Sequence, residues 1–119
     1  MRDLLCKKEV IIVGDMNAAR NPIDITNYVS NKGKAGFTWE QRNVFEEMIS
    51  FGWRDSFREL HPDRKQYTYW ARWADSRKKN IGWRIDYIFV SQKVNIQSAT
   101  IHDEVMGSDH CPISASFLI

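Results

Sequence analysis

The sequence predicts an α+β fold, one mostly antiparallel or mixed sheet with helices on one face. Three observations carry that expectation. Five segments have the β-branched and aromatic bias of strands, each bounded by turn residues. Only one segment has the capped, amphipathic pattern of a substantial helix, with a short second one behind it. The chain has 119 residues, 43% hydrophobic and 27% charged, with Gly 6 and Pro 3, which suits one packed core and excludes disordered or collagen-like classes.

The elements follow in order. Glu9 to Asp15 reads as a strand because Val10, Ile11, Ile12 and Val13 form a continuous β-branched run stopped by Gly14. A run without alternation implies burial on both faces. Arg20 to Gly36 is polar and turn-rich, with Asn21-Pro22, Asn27, Asn31, Gly33 and Gly36, and only Ile23 to Tyr28 has room for a helical turn. A loop of that length marks a functional surface. Thr38, with Gln41 three residues on, makes a capping box, and Val44, Phe45, Met48 and Ile49 give an apolar stripe ended by Gly52. Asp55 to Leu60 predicts a short second helix closed by His61-Pro62. Tyr67 to Trp70, Trp83 to Ser91, Asn95 to His102 and His110 to Leu118 complete the strands, and no internal repeat is visible.

No stretch approaches a membrane span, and Met1 to Val10 places charged side chains ahead of any apolar run, so neither a signal peptide nor a spanning helix is expected. Cys6 and Cys111, the only cysteines, then read as reduced thiols, which points to a cytoplasmic (nucleoid) or nuclear setting and not a secreted one. The net charge of +2 names no partner by itself. Its distribution says more: Arg72, Arg77, Lys78, Lys79 and Arg84 stand against the single acid Asp75 and are interleaved with Trp70, Trp73 and Trp83. Basic residues mixed with aromatics suit a nucleic-acid backbone and a stacked base, and equally a solvated loop beside core aromatics.

Four places concentrate side chains able to do chemistry. Gly14-Asp15-Met16-Asn17 delivers a carboxylate and an amide at the C-terminal end of a strand, although ordinary turn chemistry accounts for such residues too. Ser108-Asp109-His110 sets an acid beside an imidazole after the flexible Gly107. Asp86 lies inside Ile85-Asp86-Tyr87-Ile88-Phe89-Val90, where a buried charge needs a partner, and His110 is a candidate. Tyr69 and Trp70 with Trp83 offer an aromatic surface or a piece of core.

Read together, these pieces resemble the endonuclease/exonuclease/phosphatase superfamily, and within it the exonuclease III type of apurinic/apyrimidinic endonuclease. The residues that carry the resemblance are Gly14-Asp15-Met16-Asn17, Ile23-Asp24, Asn31, Ala35-Gly36-Phe37-Thr38, Asp55-Ser56-Phe57-Arg58, Tyr67-Thr68-Tyr69-Trp70, Asn80-Ile81-Gly82-Trp83-Arg84-Ile85-Asp86-Tyr87 and Gly107-Ser108-Asp109-His110-Cys111-Pro112. The first and last are superfamily-wide, whereas the Ala-Gly-Phe-Thr and Gly-Trp-Arg-Ile-Asp-Tyr pieces are far more specific to the DNA-repair branch.

The resemblance implies hydrolysis of a phosphodiester 5′ to abasic sites, with 3′-5′ exonuclease or 3′-repair activity. Asp15 would orient or deprotonate the attacking water and Asn17 would help place it. His110 would meet the phosphate, with Asp86 fixing its ring and favouring its charged form. Mg²⁺ is the implied cofactor, with Mn²⁺ as a substitute and Asp109 as this chain's ligand. Tyr69, Trp83 and Ile85 would line the pocket for the extruded baseless sugar, and Asn31 and Arg84 would join the contacts to double-stranded DNA carrying abasic or 3′-blocked sites. The family's catalytic domain is a longer two-sheet β-sandwich flanked by helices. Residues 1–119 therefore read as a single-domain fragment, its C-terminal half. A missing N-terminal half, or self-association through the uncovered sheet face, would complete it. The alternatives are a catalytically inactive DNA-binding remnant and a superfamily phosphatase acting on a lipid or inositol headgroup.

Overall fold

In the computed structural model, which describes residues 8–118, the first β-branched run forms strand β1 (Ile11–Asp15). A 3-10 turn at Pro22–Asp24 and a one-turn helix α1 (Tyr28–Asn31) interrupt the long polar loop. Helix α2 (Trp39–Ser50) starts on the expected capping box: the Gln41 amide donates to Thr38 Oγ1 at 3.1 Å, and the Gln41 side chain accepts from the Thr38 amide. It is followed by β2 (Arg54–Asp55), α3 (Ser56–Leu60), β3 (Tyr69–Trp70), β4 (Gly82–Trp83), β5 (Asp86–Val90), β6 (Asn95–Ile101) and β7 (Ile113–Leu118). Asp55 caps α3 by accepting from the Arg58 amide.

Every described strand pairing is antiparallel, and the strands fall into three groups, β1-β5-β2, β3-β4 and β6-β7. Helix α2 lies on one face of the first group, where Phe45 stacks with Tyr87 and Phe89 and the cluster closes with Trp53 and Ala18. Helix α3 brings Phe57 against Tyr67, Trp70, Ala99, Ile101 and Cys111, which ties β3 to β6.

Two expectations need correcting. The run at Val10–Val13 is not buried on both faces: burial alternates along β1, with Ile12 turned toward α2 and Val13 63% exposed on the opposite side. Ile11 shares that open side. Trp83 to Ser91 is not one strand, because Arg84 and Ile85 step between two sheets and leave Trp83 paired with Tyr69 while Asp86 begins β5. The expected reduced Cys111 is a free, buried thiol, and burial pushes its pKa up to about 11; Cys6 lies outside the described residues.

Candidate active site

Strand register creates the site. β1 and β5 pair so that Asp15 stands opposite Asp86, and directly opposed residues project from the same face of a sheet. The Thr68 hydroxyl, fully buried, accepts from the amides of Ile85 at 3.0 Å and Asp86 at 3.2 Å, so it sets where β5 begins. The next segment is threaded past the same point. Tyr69 bridges His110, the Trp70 amide donates to the Asp109 carbonyl at 3.0 Å, and the Cys111 amide donates to the Thr68 carbonyl at 2.8 Å.

Three side chains converge there. His110 Nδ1 lies 2.8 Å from Asp86 Oδ2, and since a carboxylate accepts, Nδ1 carries the hydrogen and Nε2 faces outward. Nε2 is 3.8 Å from Asp15 Oδ2. The Tyr69 ring rests against the imidazole with centroids 5.0 Å apart. Asp86 is the most enclosed of the three at 16% side-chain exposure, while His110 and Asp15, at 32% and 37%, open to solvent. Asn17 sits in the left-handed region that Asn tolerates and gives its amide to Asp15 Oδ1 at 2.8 Å, which fixes that carboxylate.

The donor set fits a divalent cation. One ligand atom from each of Asp15, Asp86 and His110 lies within 4.8 Å of the others, and carboxylate oxygens are the ligands a hard ion prefers. Asp109 is not in this group. Its carboxylate faces Arg72 at 3.5 Å.

One sequence expectation is overturned. Arg84 cannot contact DNA, because its side chain is 0% exposed and all three guanidinium nitrogens donate inside the protein. Its Nε and Nη2 reach Asp24 at 2.7 and 3.3 Å, and Nη1 and Nη2 reach Asp55 at 2.9 and 2.7 Å. Arg58 joins Asp24 and Arg20 joins Asp55 from outside. Burial pushes the Asp55 carboxyl up, but the charge and hydrogen bonds of Arg84, with Arg20 behind, outweigh it and hold Asp55 below the usual carboxylate range. The same acids overcome the burial penalty on Arg84 and raise it. Burial also raises the Tyr87 hydroxyl, which is 2.8 Å from the carbonyls of Ala18 and Arg84. This knot pins the loop after Asn17 to the residues before Asp86. Sequence reasoning missed it and missed the Thr68 anchor; the signal available was Asp24, an acid between Ile23 and Ile25.

The remaining candidates scatter. Ile85 is largely buried at 7% exposure. Trp83 is partly buried and packs against Ala19, Ile25 and Phe37, its ring so close to Gly36 that a Cβ there would lie 2.3 Å from it, at a backbone φ of +88°. Asn31 spends its amide nitrogen on the carbonyls of Thr26 and Asn27 in its own loop. The basic stretch divides as well: Trp70 is core, whereas Trp73 is exposed.

An antiparallel α+β scaffold thus presents a carboxylate–imidazole pair beside a second carboxylate, a group able to hold a cation. The comparisons make this specific. Residues 1–110 match the Endonuclease/Exonuclease/phosphatase family, and the chain belongs to it. It is 46% identical over 110 residues to an exodeoxyribonuclease of Bacillus subtilis, covering 90% of this chain and 44% of that protein. It is 41% identical over 111 residues to the DNA repair nuclease APEX1 of Danio rerio, covering 91% and 36%. A 3′ phosphatase from Neisseria bound to a product DNA hairpin superposes with a TM-score of 0.93 at 25% identity, over 99% of this chain and 49% of that one. The chain thus spans half or less of the relatives it matches.

Proposed function

We propose that the chain is the C-terminal half of the catalytic domain of a DNA repair nuclease that hydrolyses the phosphodiester 5′ to an abasic site, with 3′-5′ exonuclease or 3′-repair activity. The observation that carries this reading is the Asp86–His110–Asp15 constellation, whose outward imidazole nitrogen and exposed carboxylate stand side by side toward solvent, where one reacting group can meet both. Asp15 is the water-orienting base, and Asn17 holds its carboxylate while its side-chain amide faces the phosphate. His110 Nε2 meets a phosphate oxygen, where developing negative charge is stabilised most in the transition state. Asp86 holds the ring from behind.

Mg²⁺, with Mn²⁺ as a substitute, supplies Lewis-acid neutralisation of that charge when bound. Asp15 offers oxygen, and Asp109, whose carboxylate faces the exposed Arg72, would add its own. Tyr69 rests against His110 and pairs with Trp83 across β3-β4, and these two rings would border the baseless sugar. Double-stranded DNA is the substrate, in a nucleoid or nuclear setting; among the described residues no helix is long and apolar enough to cross a membrane. The open side of β1, with Ile11 and Val13, is where an N-terminal half would dock, or where copies of the chain would associate without it.

The test is nicking of a duplex with one abasic site, in Mg²⁺ or EDTA, by the chain alone and with a separately supplied N-terminal half. The reading requires Mg²⁺-dependent incision with the half present and negligible nicking without it. Binding to the duplex with no incision in either state supports the inactive remnant instead, and hydrolysis of an inositol phosphate in its place supports the phosphatase.

A further inference from the structure

The segment that carries Asp109 and His110 has little secondary structure of its own between Ile101 and Ile113. From residue 103 to residue 108 its carbonyls have no ladder to join, and such groups need partners. Arg77, on a different loop, supplies them. Its Nη2 donates to the carbonyls of Asp103 at 2.9 Å and Val105 at 2.7 Å, and its Nη1 donates to the carbonyl of Ser108 at 3.1 Å. One guanidinium therefore spans both ends of the turn that leads into Asp109.

Arg77 is itself held. Its guanidinium lies 4.4 Å from the centre of the Trp70 ring, which is buried and hydrogen-bonded through Nε1 to Asn80 Oδ1 at 3.0 Å. On Gly82 a Cβ would stand 2.6 Å from Trp70 Nε1, so the indole is fixed in the β3-β4 hairpin. The backbone of Trp70 in turn holds the Asp109 carbonyl. The loop around Arg77 carries Ala74, Asp75 and Asn80 at positive φ, a shape that persists only where surrounding contacts impose it.

We propose that Arg77 is a positioning residue that clamps the 103–108 turn, and through it sets where His110 stands. It does not act as a phosphate contact, although its place in a basic, Trp-rich run would assign it to one. This rests on the nuclease reading for its catalytic consequence, whereas the clamp itself does not. The two roles separate chemically. A phosphate contact needs a positive charge, which lysine restores; the clamp needs a planar fork reaching three carbonyls, which a single ammonium cannot reproduce.

The experiment compares Arg77→Ala and Arg77→Lys with the unaltered chain in two measurements. Amide hydrogen exchange on the chain alone should quicken at Trp70, Val105 and His110 in both variants, while the β1-β5 amides keep their protection; if alanine loosens β1-β5 as well, the lysine variant is read by itself. Nicking of abasic duplex with the N-terminal half supplied should show kcat down by about 10- to 100-fold, the scale of a misplaced reacting group. KM and the salt slope should be unchanged, and lysine should give no rescue. Unchanged exchange at those three amides overturns the clamp. So does a pattern in which lysine restores activity and alanine weakens binding with a salt slope reduced by about 1. Exchange does not depend on turnover, so a chain that fails to nick DNA even with the N-terminal half supplied refutes the nuclease reading and leaves the clamp decided by exchange.

Discussion

Arg84 and Asp86 are separated by one residue, yet each belongs to a cluster of acids and bases built on opposite terms. In the cluster around Arg84, three guanidinium groups meet the two carboxylates of Asp24 and Asp55 in the interior, and both acids are bound from more than one side. In the cluster around Asp86, one imidazole and two carboxylates meet at the surface with His110 Nε2 and an Asp15 oxygen still directed outward. The buried ion pairs of Arg84 with Asp24 and Asp55 mark the first as a structural device. Groups left open to solvent make the second the place where the proposed function puts the reaction.

The sharpest way to break that contrast is to remove the hub of the closed cluster. Arg84→Met leaves Asp24 and Asp55 buried with only their outer arginines, and losing one partner of a buried ion pair costs about 3–5 kcal/mol. Urea unfolding should show a loss of that size. A loss under about 1 kcal/mol would mean that Arg20 and Arg58 suffice and that the knot is not the hub described here.

Thr68 connects the two clusters, because its hydroxyl receives the amides of Ile85 and Asp86. Thr68→Val keeps the shape and strands two buried donors, at about 1–3 kcal/mol for an unsatisfied group. The same variant should lower nicking, since Asp86 loses its anchor. Stability lost with nicking intact would detach the anchor from the site.

The smallest effect is the pH response of the closed cluster. Asp55 has a lower pKa folded than unfolded, so the unfolded chain binds more protons and stability rises with pH across that interval. The contribution is complete above the unfolded value, about 3.9, and is lost as pH falls through the folded value. Between the unfolded and the folded values Asp55→Asn should show a flatter dependence of stability on pH than the unaltered chain. Equal slopes would remove Asp55 from the acid response.

What the sequence could show of this contrast was its local part. Thr38 and Gln41 announce α2 because a capping box is complete within four residues, and the β-branched run before Gly14 announces β1 for an equally local reason. Asp86 and His110 could be named as a pair only because a charge inside an apolar run demands a partner; their 2.8 Å contact is a product of folding. Arg84 was misread because its partners are 60 and 29 residues away and the basic run Arg77 to Lys79 lies just upstream in the chain. The exposed side of β1 was legible for a different reason: a β-branched run offers apolar surface on both faces, and the helices of this chain suffice to cover only one.

The central claim is that chemistry resides in the open cluster, and His110→Asn tests it most directly. Stability of the chain should change by no more than about 1 kcal/mol, because His110 is partly exposed and ends a loop. Mg²⁺-dependent nicking of abasic duplex with the N-terminal half supplied should fall by about 10²- to 10⁴-fold, the scale of losing a proton-handling group. Nicking at the unaltered rate by a folded His110→Asn chain would contradict the account.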